Sequence, residues 1–131
     1  MIFVDTGAWF AAFVPEDPDY AAAAAWLGNN QRPLLTTDYV IDETLTLLRA
    51  RRHRQRALRI GAQFFAGELA EVHHLTTDQL LRAWDVFRTC ADKDWSFTDC
   101  TSKVVMEILG ITTAFSFDQH FRQFGAVTVV P

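Results

Sequence analysis

At 131 residues, half of them hydrophobic and 13% aromatic, the chain has the size and apolar content of a single domain with a real core. A net charge of -4 excludes a uniformly basic nucleic-acid binder, and the absence of any Gly-, Pro- or Ser-rich tract argues against disorder. No apolar run approaches the roughly 20 residues of a membrane helix, "MIFVDTG" lacks the basic flank of a signal peptide, and Cys90 and Cys100 have no CxxC spacing, so a cytoplasmic protein without a disulfide framework, a zinc site or membrane association is expected.

"IFV" at 2–4 predicts a short strand, "DTG" a turn, and "AWFAAFV" a helix broken by Pro15 and Pro18. "DYAAAAAWLGNN" has an acidic start, an alanine body and a Gly28 stop, which predicts a second helix. "PLLTT" at 33–37 predicts a second strand, after which Asp38 is expected to cap "YVIDETLTLLRARR", where Val40, Thr44, Leu47 and Leu48 share one face. A helix over about 55–65 ends at Gly67, "AEVHHLT" predicts a third strand, and Asp78 begins an amphipathic helix reaching about Ala91. Thr98 opens a further helix that ends at Gly110, and "TTAFSF" and "VTVV" predict two last strands around a helical turn at "DQHFRQF". Five short apolar strands alternating with helices predict an α/β fold, a central parallel sheet covered by helices on both faces.

Asp5 follows the first expected strand and Asp118 the fourth, so both belong at the carboxyl edge, where such sheets bind ligands. Asp99 lies in the first turn of the helix leading into the fourth strand, and Glu43 one turn into the helix after the second. Taken singly, each acid has a plain structural explanation as a helix cap, a dipole complement or a solvated face. Taken together, four carboxylates at one mouth repel unless a cation lies among them, and hard oxygen donors suit magnesium or manganese rather than zinc. Helical phase favours Glu43 over the adjacent Asp42, because Glu43 lies nearer the apolar face.

"FVDTGAWFA", "DYVIDETLTLL", "WSFTDCTS" and "AFSFDQHF" resemble the four acidic motifs of the PIN domain, and the pattern is most similar to VapC-type toxins of toxin-antitoxin pairs. The resemblance spans the chain, with the motifs in order. It implies a three-layer α/β/α fold and a Mg2+- or Mn2+-dependent ribonuclease that cleaves RNA through metal-activated water. It also implies a cognate VapB-like antitoxin and a homodimer. By position, Asp5, Glu43, Asp99 and Asp118 are the expected catalytic and metal-binding quartet, with Thr6, Thr98 and Ser116 as hydroxyls that orient ligands or water; Thr6 and Thr98 are otherwise explained as helix caps. Asp118 carries less weight than Asp5 and Asp99, since family members differ in their need for the last acid.

Six of the twelve basic residues, Arg49, Arg51, Arg52, Arg54, Arg56 and Arg59, fall within "RARRHRQRALR", a candidate surface for RNA phosphates or a protein partner. Complementing a helix C-terminal dipole would explain the first three but not those beyond the helix break. Phe10 and Phe13 are a candidate apolar patch for a partner, and Trp9, Trp26, Trp84 and Trp95 are core or interface aromatics. Two competing functions are a phosphoacceptor or phosphohydrolase domain, for which Lys103 is the available cation, and a binding module that has lost its metal.

Overall fold

Ile2–Val4 forms β1, three buried apolar residues paired on one side with β2 (Leu34–Thr37) and on the other with β4 (Thr113–Phe115). Adding β3 (Glu71–His73) and β5 (Thr128–Val130) gives the order β3-β2-β1-β4-β5, and every pairing is parallel. Strands buried on both faces need no polar alternation, which is why β1 and β4 read as unbroken core. Polar exposure appears only towards the edges, at Glu71 and Thr128. This computed structural model describes residues 1–131.

The helices are α1 (Thr6–Phe13), α2 (Tyr20–Asn29), α3 (Asp38–Ala50), α4 (Arg54–Phe65), α5 (Thr77–Thr89) and α6 (Phe97–Leu109), followed by a 3₁₀ helix at Gln119–Phe124. Several starts fall a residue or two from where the sequence pattern set them. A cap needs extended backbone and a hydroxyl that reaches the amide three residues on. Thr37, at the end of β2, meets that need, its Oγ1 accepting the Val40 N–H at 3.1 Å, so Asp38 is the first helical residue and not the cap. Thr76 and Gln79 form a capping box at α5, and Ser96 and Asp99 form one at α6, so Thr98 lies inside the helix it was expected to open. The ends differ too: α5 stops at Thr89, short of Ala91, and β3 and β4 are shorter than "AEVHHLT" and "TTAFSF".

Trp9, fully buried, stacks on Phe13 and meets Phe64 edge-on at 5.1 Å, locking α1 against α4. Phe10 is buried and Phe13 packs against the core, so these two do not form the exposed patch expected of them. The exposed apolar face lies on α5 instead, where Leu81, Trp84 and Phe87 are 58%, 51% and 42% exposed. Between α3 and α4 the chain reverses through Arg52 at φ 65, with the His53 amide donating to the Leu48 carbonyl at 2.8 Å. That is a Schellman closure with arginine where glycine is usual. Both cysteines are free, and no helix is long and apolar enough to cross a membrane.

Candidate metal centre

The winding of the sheet reverses between β1 and β4, and a doubly wound sheet opens a crevice beyond its carboxyl edge at such a point. Asp5, the residue after β1, projects there and also caps α1, its Oδ1 accepting the Ala8 N–H at 2.7 Å. Its Oδ2 accepts the Ser116 hydroxyl at 2.6 Å, and Ser116 Oγ in turn accepts the Asp118 N–H at 3.0 Å. One hydroxyl thus ties the end of β1 to the loop after β4. Asp118 is three residues past the end of β4 and caps the 3₁₀ helix, rather than following the strand directly.

Asp99 reaches the crevice from the first turn of α6. Its Oδ2 accepts the Ser96 N–H at 3.0 Å in the capping box and lies 3.0 Å from His120 Nδ1. Glu43 approaches from α3, half-buried, while Asp42 is exposed, as helical phase requires. Asp5, Glu43, Asp99 and Asp118 all line one cavity of about 40 Å³, with Thr6, Thr98 and Ser102 between them.

The electrostatics are those of an unbalanced cluster. Burial pushes the Asp5 carboxyl up from 3.8 to about 7, against the pull of the hydrogen bonds from Ser116 and Ala8 and with the added push of the Asp118 and Asp99 charges. Cys100, behind Asp99, is raised to about 11, first by burial and then by that neighbouring charge, which leaves it an inert core thiol.

A divalent ion fits the donors present. They are hard oxygens gathered from four elements, and Thr6 Oγ1 beside them is buried without any hydrogen-bond partner. A lone buried hydroxyl is uncommon because it forfeits its hydration, and a water or ligand in the cavity would restore a partner. Neither Thr6 nor Thr98 caps a helix; Asp5 and Ser96 do. His120 is a neighbour that strand and helix patterning does not single out, as is Ser102. The available signal was the two-residue spacing in "DQH", since a turn capped by Asp118 folds the side chain two positions on back over the acid.

Lys103 lies elsewhere. It pairs with Glu107 and lines a separate cavity of about 220 Å³ with Met106, Ile111 and Phe124, so it offers the carboxylates no cation for a phosphoacceptor site. The arginines are divided: Arg52, Arg54, Arg56 and Arg59 line an open cleft of about 330 Å³ with His53 and Gln55, whereas Arg49 and Arg51 lie outside it at the end of α3. Arg56 is partly engaged, donating to His53 Nδ1 at 3.0 Å and standing 3.8 Å from Glu16.

Acids at the switch point of a parallel sheet, with hydroxyls woven among them, define an α/β domain whose carboxyl edge offers a donor set suited to a cation. Residues 2–127 match the PIN domain, and the chain belongs to that family. It is 34% identical, over its whole length and 99% of the relative's, to the 23S rRNA-specific endonuclease VapC20 of Mycobacterium tuberculosis, in both strain CDC 1551 / Oshkosh and strain H37Rv. The crystal structure of M. tuberculosis VapC20, described as a Sarcin-Ricin loop cleaving toxin, superposes with a TM-score of 0.92 at 32% identity, covering all of both chains. The fold is PIN-like α/β, and the chain is a ribonuclease of the toxin class. Nucleases of this family generally use a divalent metal.

Proposed function

We propose that this ribonuclease holds Mg2+ or Mn2+ through Asp5, Glu43, Asp99 and Asp118 and cleaves a structured RNA loop of the kind its mycobacterial relative cleaves. The observation that carries the assignment is the convergence of all four acids on one small cavity that also contains an unpartnered buried hydroxyl. When bound, the ion activates water for in-line attack and stabilises charge on the leaving oxygen. The chain's own residues do the positioning. Ser116 fixes the Asp5 carboxylate, the Ser96 amide fixes that of Asp99, and the Asp118 turn is held by the His120 amide.

Phosphate binding falls to the arginine cleft, which supplies the cationic surface that the acidic pocket lacks and implies no base selection of its own. Residues 1–131 act as one domain in the cytoplasm. Their partners are a VapB-like antitoxin and a second copy of the chain, and the exposed Leu81, Trp84 and Phe87 supply apolar surface for such contacts. The test is cleavage of a sarcin-ricin-type RNA hairpin by purified protein after EDTA treatment. Activity should return with Mg2+ or Mn2+, and cleavage that persists in EDTA would overturn the metal role.

A further inference from the structure

His120 faces two of the four acids. Its Nδ1 is 3.0 Å from Asp99 Oδ2 and 3.3 Å from Asp118 Oδ2, and one ligand atom from each residue falls in a group whose members lie within 4.8 Å of one another. Neighbouring ligands of a six-coordinate ion bonded at about 2.1 Å stand about 3.0 Å apart, so the spacing that makes a hydrogen bond in the metal-free chain also suits atoms sharing one coordination shell. Each carboxylate accepts one backbone N–H, from Ser96 and from His120 itself, which leaves lone pairs on both for an ion. One ring nitrogen facing two such oxygens can exchange that hydrogen bond for a shared ion without moving far.

The ring is also held in place. The 3₁₀ helix that carries it is pinned on its inner side by Phe121, fully buried and 6.0 Å from Phe3, and by Phe124, which Trp95 meets edge-on at 5.2 Å. Trp95 Nε1 donates to Gln123 Oε1 at 2.9 Å, fastening the same segment to the approach to α6. Asp99 and His120 are therefore carried by two elements locked to each other through the core.

We infer that His120 is a ligand of the metal centre, making with Asp99 and Asp118 a mixed nitrogen and oxygen shell that prefers Mn2+ or a later transition ion over Mg2+. Imidazole suits transition ions, whereas Mg2+ is served by carboxylates and water, so adding one nitrogen raises affinity for the first class far more than for the second. This rests on the metal-binding role proposed above and extends it to selectivity.

The test needs binding and spectroscopy rather than turnover. Pulsed electron paramagnetic resonance of the Mn2+-loaded chain should show modulation from a directly bound imidazole nitrogen, and this should change when histidine is supplied labelled with ¹⁵N. In His120→Ala the modulation should vanish and Mn2+ affinity by calorimetry should fall roughly 10-fold, with Mg2+ affinity changed less than about 3-fold. Mn2+ binding without nitrogen modulation in the wild-type chain would overturn the inference and leave the carboxylate site standing. Failure to bind either ion would overturn both. The isotope experiment requires no variant, so misfolding of His120→Ala cannot blunt the test.

Discussion

The acid pocket and the arginine corner both concentrate like charge, yet the protein builds them in opposite ways. The pocket draws single acids from four elements into a cavity of about 40 Å³, with Asp5 only 5% exposed. The corner takes its cations from one stretch of chain and spreads them over an open cleft of about 330 Å³. Screening makes the second arrangement nearly free of repulsion, whereas burying a carboxylate beside two others is unfavourable enough to lift Asp5 to about 7. An ion relieves the first; a polyanion gains from the second. The difference supports the proposal of the pocket as the place for chemistry and the corner as the place for grip.

The largest expected effect breaks the pocket's chemistry alone. Asp5→Asn and Asp99→Asn should each lower RNA cleavage at least about a thousandfold while leaving the circular dichroism spectrum unchanged. Cleavage at the wild-type rate in both would remove the quartet from the mechanism.

A second effect of the same residue lies in stability. The folded value of about 7 stands above the ordinary 3.8, so the stability that Asp5 contributes is full below about pH 3.8 and is lost as pH rises through about 7. In EDTA, Asp5→Asn should therefore match the wild type near pH 4 and exceed it above pH 8 by up to about 4 kcal/mol. Chemical denaturation at the two pH values measures that difference. Equal stability at both would mean that the buried carboxylate is compensated by something other than metal.

The contrast also explains what could be read from sequence. The strands, the α/β class and the four acids were legible because periodicity and strand-end position are properties of nearby residues. Thr37 and Ser96 took the caps expected at Asp38 and Thr98 because capping depends on backbone angles that composition does not encode. Ser116 could be picked out beside its acid, but its bond to Asp5 spans 111 residues of chain. His120 was missed for a similar reason, since Asp99, its partner, is 21 residues away and is brought near by the packing of Trp95 on Phe124. The exposed α5 face was misplaced onto Phe10 and Phe13 because apolar residues look alike until burial is assigned.

Breaking the corner should act on binding and not on chemistry. Replacing Arg52, Arg54, Arg56 and Arg59 with Ala should reduce the slope of log affinity for single-stranded RNA against log salt by up to about 3, at roughly 0.7 for each phosphate no longer neutralised. Arg49 and Arg51, outside the cleft, should change it little. Filter binding across a salt series measures both, and equal slopes for the two sets would mean that the cleft is not the phosphate surface.

The smallest effect sharpens the comparison most, because it isolates one oxygen. Thr6 Oγ1 is buried beside the carboxylates with no partner, a state that costs about 1 to 3 kcal/mol when nothing fills the cavity. Thr6→Val keeps the shape and removes the orphaned hydroxyl, so the metal-free protein should be stabilised by about 1 kcal/mol. If the hydroxyl finds its partner in the shell around a bound ion, the same variant should bind Mn2+ roughly 10-fold more weakly. The rise in melting temperature on adding Mn2+ should then be smaller in Thr6→Val than in the wild type, although the variant begins from the higher value. An equal rise in both proteins would make Thr6 a packing residue, and the pocket's unsatisfied oxygen would need another explanation.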